Sequence, residues 1–369
     1  MANVAAIAAA ILNRKQNPMQ KYRLLLAGML AVAFAIPVIA AEPPVIIDTH
    51  AHLENPGRSR DFATAAEGAV QRMNAAGISR SMLMPPPQAG GNSNWEIEQI
   101  RFVQDKYPGR FILVGGGGSL NGMIQDTAPD RVSDSDRKAF RARAEELIAA
   151  GARGFGEIAI HHMSLVRMGP NHPYEWTAPD HPLLLLLADI AAEKGVPIDI
   201  HMDLVPEDMP VPGRPVFNLG KTPQELKENL SGFERLLSHN RNAKIIWAHA
   251  GTDFLWTRTV QQQAQLLARN PNLYMSLRFG NGAPPPVYAL DPTGKLKAGW
   301  LQMLQRFPDR FVLGSDSFHA AGADRKRGPG DEQLEAYRTT LEQMPPELAE
   351  AIGHLNAERL FRLTNVAGG

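Results

Sequence analysis

The sequence predicts an α/β fold, namely a closed (β/α)8 (TIM) barrel that forms a single domain with long βα loops. Two observations support this prediction. After Pro43, short apolar or β-branched runs alternate with segments of helical periodicity, and there are eight such runs. From residue 43 to residue 369, no linker or change in composition divides the chain. Alternating strands and helices indicate parallel βα units, and eight units can close a barrel.

The predicted strands are short and are separated by helical patterns. The strands are 45–53, 78–84, 111–115, 152–160, 197–204, 244–250, 272–279 and 311–318. The helical patterns are 64–76, 136–150, 183–194, 223–239, 257–269, 298–306 and 331–343. An open, doubly wound sheet is the alternative arrangement. It has less support because no Gly-x-Gly-x-x-Gly follows the first strand, and the glycine run 115–118 after the third is typical of a tight βα loop.

Composition indicates a globular protein with a small ligand. Of 369 residues, 44% are hydrophobic and 21% are charged, which is enough apolar content for a sizeable core. The 38 basic and 38 acidic residues cancel, so no overall field attracts nucleic acid, and we expect a small-molecule substrate. Because the chain contains no cysteine, disulfides and a cysteine nucleophile are excluded, and any metal depends on histidines and carboxylates. The oligomeric state cannot be read from the composition.

The N-terminal region resembles a secretory signal peptide. Lys21 and Arg23 precede the apolar run 24–40, and small residues end that run. We therefore predict a signal region over residues 1–41, a barrel domain over residues 42–369, and a periplasmic or secreted protein. An uncleaved membrane anchor is the alternative, since the run is just long enough to span a bilayer. Met19 is an alternative start to Met1.

Six polar residues lie near the C-terminal ends of predicted strands. His50 and His52 end the first strand, where side chains two residues apart share a face and can contact one cation together. The others occupy positions at which an apolar strand would normally continue: Glu157, His201, His249 and Asp316. Burial of four imidazoles and two carboxylates without partners would be costly, whereas a divalent cation satisfies all of them. The sequence therefore predicts a metal site at the C-terminal mouth of the barrel.

This residue set resembles the amidohydrolase superfamily, in particular its amidohydrolase-related branch of metal-dependent hydrolases. The resemblance extends from Val45 to a C-terminal segment that contains Ile352, Asn356 and Arg359. It implies that the first-strand histidines and Asp316 hold one metal, and that His201 and His249 hold or face a second. The bridging carboxylate of such proteins is often a carboxylated lysine on the fourth strand, where this sequence has Glu157. Since members with one metal exist, the resemblance implies one or two ions.

The predicted ligands suggest a mechanism. A divalent ion makes a water more acidic, and Asp316 is the expected general base, which later passes the proton to the leaving group. Zinc is the first choice of metal because histidine and carboxylate suit it, although Mn, Fe and Co accept similar ligands. Arg278 ends the seventh strand and is a candidate for binding a substrate carboxylate; a salt bridge to a loop acid is the alternative. We assign no role to His161 and His162, which follow Glu157.

Three functions remain open from the sequence. The first is hydrolysis of an amide, lactone or ester bond, which uses all six residues. The second, which the resemblance implies, is metal-dependent decarboxylation of an aromatic or unsaturated carboxylic acid. The third is a binding protein without turnover. Glu157 favours the first, since it could bridge two metals. Specificity is expected to reside in three long loops after strands, 161–182, 205–222 and 280–297.

Overall fold

A computed structural model describes residues 45–53, 61–87, 95–170, 172–279, 287–319 and 331–363. The signal region predicted over residues 1–41 lies outside these ranges, and its boundary with the barrel stays a prediction. Among the described residues, no helix has both the length and the apolar character needed to cross a bilayer.

The described chain contains a large, mostly parallel sheet and a small hairpin. The strands are β1 (Ile46–Leu53), β2 (Ile78–Leu83), β3 (Phe111–Leu113), β4 (Gly115–Gly116), β5 (Phe155–His162), β6 (Glu175–Trp176), β7 (Pro197–Met202), β8 (Met209–Pro210), β9 (Glu225–Leu226), β10 (Lys244–Ala250), β11 (Leu273–Leu277), β12 (Phe311–Leu313) and β13 (Ser317–His319). The strand β6 pairs antiparallel with β5, and β8 with β9.

The large sheet closes into the predicted eight-stranded barrel. Its strand order is β3-β2-β1-β12-β11-β10-β7-β5-β4. The two ends of this order, β3 and β4, are separated in the chain only by Val114. On one side of this extended segment, the Val114 N–H donates to the carbonyl of Leu83; on the other, the Gly115 N–H donates to the carbonyl of Gly154. Segment 111–116 therefore completes the ring, and the barrel consists of eight parallel strands.

The helices follow the strands as the sequence pattern predicts. They are α1 (Phe62–Ala76), α2 (Phe102–Lys106), α3 (Leu120–Gln125), α4 (Asp134–Ala149), α5 (Pro182–Lys194), α6 (Leu230–His239), α7 (Val260–Arg269), α8 (Ala298–Arg306), α9 (Asp331–Leu341), α10 (Pro346–Glu350) and α11 (Asn356–Phe361). Capping residues mark the two ends of α1. The Asp61 side chain accepts a hydrogen bond from the Thr64 N–H at the start of this helix, and Gly77 ends it with a left-handed backbone conformation.

The prediction of a helix over 223–239 was wrong for its N-terminal part. The pattern 223–239 predicts one long helix, but α6 begins at Leu230. Residues 225–226 instead pair with β8. Asn229 also binds the chain that follows β7: its side-chain oxygen accepts from the Val205 N–H, and its amide donates to the carbonyl of Asp203. These tertiary hydrogen bonds outweigh the local helical pattern.

The described residues form three buried apolar clusters, of which one lies inside the barrel and the largest lies outside it. Ile47, Met82 and Ile246 belong to one cluster although their strands β1, β2 and β10 are not all neighbours in the sheet. Such side chains meet only in the barrel interior. The same cluster includes Leu360 and Phe361 of α11, which therefore contributes to the interior packing. A larger cluster joins the outward faces of the strands to the surrounding helices.

Gly314, directly after β12, is expected to tolerate no side chain. A Cβ at this position would lie 2.7 Å from the Cβ of Ser276 and 3.1 Å from the Cβ of His50. We expect Gly314→Ala to lower the free energy of unfolding by about 1–3 kcal/mol, the usual cost of overpacking. Denaturant titration measures this effect. Gly299→Ala is the control, because a Cβ there has no neighbour within 4 Å; equal midpoints for the two variants would contradict the close approach.

Candidate metal centre

The structure brings all six polar residues predicted from the sequence together at one end of the barrel. His50 and His52 lie on β1, Glu157 on β5, His201 on β7 and His249 on β10. Asp316 lies in the gap between β12 and β13, which the sequence pattern treats as one continuous strand 311–318. At this gap Asp316 adopts a left-handed backbone with φ 55°, and His249 has φ 63°. Such conformations are costly for residues other than glycine and are typical of functional sites.

The first group of donor atoms comprises His50, His52 and Asp316. The two histidine Nε2 atoms are 3.2 Å apart. The Asp316 Oδ1 lies 3.3 Å from the Nε2 of His52 and 3.9 Å from that of His50. The Glu157 Oε2 lies 3.5 Å from both Nε2 atoms. Two nitrogens and two carboxylate oxygens therefore face one another.

The second group comprises His201 and His249, and it meets the other oxygen of the same glutamate. The Glu157 Oε1 lies 2.9 Å from the Nδ1 of His201 and 3.3 Å from the Nε2 of His249. These two nitrogens are 3.0 Å apart. Glu157 thus presents one oxygen to each group, as a carboxylate that bridges two cations would.

Polar contacts orient the first-strand histidines. The Nδ1 of His52 lies 2.9 Å from the carbonyl oxygen of Met84, which only accepts. This nitrogen must therefore carry the ring proton, and Nε2 is left with a lone pair toward the site. The Nδ1 of His50 lies 3.1 Å from the Oδ1 of Asp199, which is an ion-pair contact. Burial lowers the pKa of His50, but Asp199 and Glu157 raise it well above its usual value. Backing of a ligand imidazole by a carbonyl or carboxylate is typical of metal sites.

Two carboxylates of the site were missed from the sequence. Asp199 and Asp203 flank His201 on and after β7, and both are buried. The Asp203 Oδ2 lies 3.7 Å from the Nε2 of His201, on the side of the ring away from Glu157. A signal was present, because an aspartate interrupts the apolar run of β7 two residues before the histidine. Which histidine Asp199 approaches, however, depends on the neighbouring strands.

The electrostatics of the site favour a cation. Burial lowers the pKa of His201, but Asp203 and Glu157 outweigh burial and raise that pKa to about 10. Burial also raises the pKa of Glu157, yet the surrounding histidines hold it well below its usual range. By contrast, burial and the neighbouring histidines lower the pKa of His249 to about 3, which keeps a lone pair on the ring. The ionised carboxylates favour positive charge on or between the imidazoles, which either a ring proton or a divalent ion supplies. Carboxylate and imidazole groups are a donor set that zinc and similar divalent ions accept.

Arg278 pairs with a residue of the site itself. Its Nη1 lies 3.1 Å from the Oδ2 of Asp316, so the salt bridge considered from the sequence forms with the candidate base rather than with a loop acid. Burial raises the pKa of Asp316, but the Arg278 guanidinium and the nearby histidines hold that pKa well below the usual range. Arg278 also lines the cavity described next. Its role in substrate binding stays a prediction.

A cavity of about 230 Å3 opens beside the six residues. Its wall consists of Pro86, Pro87, Glu157, His162, Leu165, Arg167, Met168, His172, Pro173, Glu175, His201, Phe254, Arg278, Asp316 and Phe318. The first of the three predicted specificity loops, 161–182, supplies seven of these residues. Loop 205–222 supplies none, which corrects the prediction. Its Phe217 instead packs against Leu165 and supports the first loop from outside. Residues 280–286 of loop 280–297 lie outside the described residues.

Substitution of Asp199 tests whether this carboxylate orients the His50 ring for metal binding. We expect Asp199→Asn to lower metal affinity by about 10- to 100-fold, because an amide orients and polarises the His50 ring less strongly than a carboxylate does. Competition with a chromogenic chelator measures this affinity. Asp105→Asn, on the exposed face of α2, is the matched control. Equal affinities for the two variants would show that Asp199 does not support His50.

Comparison with known proteins supplies the family. The family model described as Amidohydrolase matches residues 47–363. Among solved structures, a probable 2-pyrone-4,6-dicarboxylic acid hydrolase from Acinetobacter baumannii has 13% identity and a TM-score of 0.46, with 86% of this chain and 99% of that chain covered. An N-acetyl-D-glucosamine-6-phosphate deacetylase variant from Mycobacterium smegmatis has 14% identity and a TM-score of 0.48, with 87% and 78% covered.

These structures are distant, and no curated protein matches the chain significantly. The family model, in contrast, spans nearly all of the chain from β1 to the end of α11. All six residues of the candidate metal centre lie inside the matched range. We conclude that the chain belongs to the amidohydrolase family and is a metal-dependent enzyme of that family.

Proposed function

We propose that this enzyme is a hydrolase that cleaves an amide, lactone or ester bond of a small molecule with two divalent ions, of which zinc is the first candidate. The observation that carries the proposal is the position of Glu157, whose Oε2 faces His50 and His52 and whose Oε1 faces His201 and His249. Divalent ions at such a site supply Lewis acidity, which makes a water more acidic and polarises a substrate carbonyl.

Asp316 is proposed to move the proton. Its carboxylate lies at the edge of the first group and also lines the cavity, so it reaches both the candidate ligands and a bound substrate. Arg278 and the histidines keep Asp316 ionised, so its carboxylate has a lone pair for a proton. Because its pKa is lowered it is a weak base, and the transfer depends on a water that bound divalent ions would make more acidic. The same carboxyl then lies where it can return that proton to the leaving group. Arg278 holds the second oxygen and so orients the carboxylate.

The cavity wall is proposed to select small, partly apolar substrates. Phe254 and Phe318 contribute aromatic surface, and Pro86 and Pro87 add rigid apolar surface. Arg278 is the candidate for a substrate carboxylate close to the reacting bond, since its guanidinium belongs to the same wall. Walls of this kind, with few polar groups among apolar ones, are typical of small-molecule sites.

Metal content is the first test of this proposal. We expect the purified full-length protein to contain two divalent ions per chain, measured by plasma mass spectrometry after mild dialysis. Turnover is then screened with lactones, N-acyl amino acids, esters and aromatic acids. Hydrolysis with two ions supports the proposal. A single ion together with CO2 release from an aromatic acid would replace it with the decarboxylase, and no bound metal with no turnover would favour a binding protein.

We also propose that the protein is exported from the cytoplasm. The basic residues before the apolar run 24–40 and the small residues after it support a cleaved signal, with a mature chain that begins near Ala41 or Glu42. N-terminal sequencing of the protein from the host's periplasmic fraction tests this. Recovery of the protein in the membrane fraction with residues 24–40 intact would instead support an anchored form.

A further inference from the structure

The turn that carries Asp316 interrupts the barrel strand between β12 and β13. Within this turn the Asp316 backbone is left-handed, with φ 55°. Such a conformation costs free energy for a residue other than glycine, and it persists only where the surrounding structure fixes it. The neighbours of this turn, residues 314–317, must therefore hold Asp316 in place.

Three successive backbone N–H groups of the turn donate hydrogen bonds. The Ser315 N–H donates to the Oδ1 of Asp48 at 2.8 Å, and the Asp316 N–H donates to the carbonyl of His50 at 2.9 Å. The Ser317 N–H donates to the hydroxyl oxygen of Ser315 at 3.1 Å. The strand β1 therefore supplies two of the three acceptors, and the Ser315 side chain supplies the third.

Asp48 uses both carboxyl oxygens in these contacts. Its Oδ2 accepts from the Ser315 hydroxyl at 2.6 Å, and its Oδ1 also lies 3.4 Å from the N–H of His50. A hydroxyl has one hydrogen, and its contact with Asp48 is shorter than its 3.3 Å contact with the His50 carbonyl. Asp48 is only 1% exposed, so water does not compete for these bonds. The Asp48 carboxyl therefore orients the Ser315 hydroxyl, and that hydroxyl in turn binds the Ser317 N–H.

These bonds affect the candidate metal centre because both oxygens of Asp316 make contacts there. The Oδ1 of Asp316 lies 3.3 Å from the Nε2 of His52, and its Oδ2 lies 3.1 Å from the Nη1 of Arg278. The aspartate side chain is short, so the position of its carboxylate follows the backbone of the turn. A change in the turn would therefore displace a candidate metal ligand and the proposed base together.

We propose that Asp48 and Ser315 are positioning residues, which fix the turn 314–317 and so place the Asp316 carboxylate for metal binding and proton transfer. This inference rests on the proposed function insofar as Asp316 is a metal ligand and the base. The fixing of the turn does not itself depend on a metal. Residues that hold a ligand in place in this way typically change metal affinity or activity by 10- to 100-fold when they are replaced.

Hydrogen exchange tests whether the pair fixes the turn. Ser315→Ala removes the acceptor of the Ser317 N–H and one of the donors to Asp48. In the full-length protein as purified, we expect the backbone amides of 314–317 to exchange about 3- to 10-fold faster than in the wild type, the factor for one hydrogen bond. Mass spectrometry of peptides that cover this turn measures the rates. Ser238→Ala, on an exposed face of α6, is the matched control and should leave them unchanged.

Cobalt binding tests whether the turn places Asp316. The visible absorption of bound Co2+ depends on the geometry of its ligands, so it changes when a ligand moves. We expect Ser315→Ala and Asp48→Asn to shift this absorption in the same direction as Asp316→Asn does, and to lower Co2+ affinity about 10- to 100-fold. Asp48→Asn is informative because Ser315 presents two donors, whereas an amide has only one oxygen that accepts. Asp105→Asn is the matched control and should keep the wild-type spectrum.

The double variant Asp48→Asn/Ser315→Ala tests whether the two residues act as a unit. Both substitutions remove the same carboxyl–hydroxyl bond. The double variant should therefore lose about as much Co2+ affinity as the weaker-binding single variant, rather than the product of the two losses. Losses that multiply would contradict the pairing. Ser315→Ala alone remains decisive for the turn if the Asp48 variants do not fold.

The outcomes separate this inference from the proposed function. Wild-type exchange over 314–317 in Ser315→Ala would overturn the fixing of the turn. Faster exchange with an unchanged Co2+ spectrum and affinity would overturn the placement of Asp316 by that turn. Neither measurement requires hydrolysis, and hydrogen exchange requires no metal. Failure of the hydrolase proposal is seen instead in the metal content of the wild type and in the turnover screen.

Discussion

Replacement of Asp316 by asparagine is expected to lower turnover by about two to four orders of magnitude, the usual range for loss of a general base. The substitution preserves the size of the side chain, so the barrel should remain folded. It removes the negative charge that Arg278 and His52 now face, together with the group that accepts the proton. Metal binding should weaken less than turnover does, because His50, His52 and Glu157 remain and an amide oxygen still coordinates weakly.

Turnover and metal content must be measured on the same sample of Asp316→Asn. A fully loaded variant with nearly wild-type turnover would show that Asp316 is not the base, and a histidine of the cavity would then have to be considered. His50→Ala is the matched comparison, because it removes a candidate ligand and leaves the base in place. We expect metal occupancy and activity to fall together in that variant, in contrast to Asp316→Asn.

Glu157→Gln is expected to lower turnover by a similar factor, but in this variant the cause is the loss of bound metal ions. The carboxylate faces one histidine group with each oxygen, whereas an amide offers a single oxygen and no charge. We expect occupancy to fall from two ions to one or fewer per chain. Loss of an ion removes several kcal/mol of transition-state stabilisation, so turnover should decrease by about a thousandfold.

Plasma mass spectrometry and steady-state kinetics on Glu157→Gln test this expectation. Glu145→Gln, at an exposed position of α4, is the control and should retain the wild-type values. If Glu157→Gln keeps as many ions as the wild type, Glu157 does not bridge two metals. A wild type with one ion that is unchanged in the variant would likewise favour a mononuclear site formed by His50, His52 and Asp316.

Much of the barrel could be read from local patterns. Each strand is a short apolar run followed by a helical pattern, and parallel strands connected in this way bring their C-terminal ends to one edge. That topological rule is why residues as far apart as His50 and Asp316 could be assigned to one site without any knowledge of contacts. The six-residue set therefore follows from the sequence, while its role in metal binding awaits the experiments above.

Other features depend on which side of a residue faces which neighbour, and no local pattern carries that information. The sequence alone does not show that Asp199 lies against His50 across the barrel, or that Arg278 contacts Asp316. Similarly, the helix predicted over 223–239 is shorter in the structure, because Asn229 forms hydrogen bonds with the chain that follows β7 instead of bonds within a helix. Sequence by itself determined the order of the strands and the chemical groups at their ends, since periodicity and composition are local. Only the tertiary structure decided how those groups are paired and oriented, because contacts between distant segments form when the barrel closes.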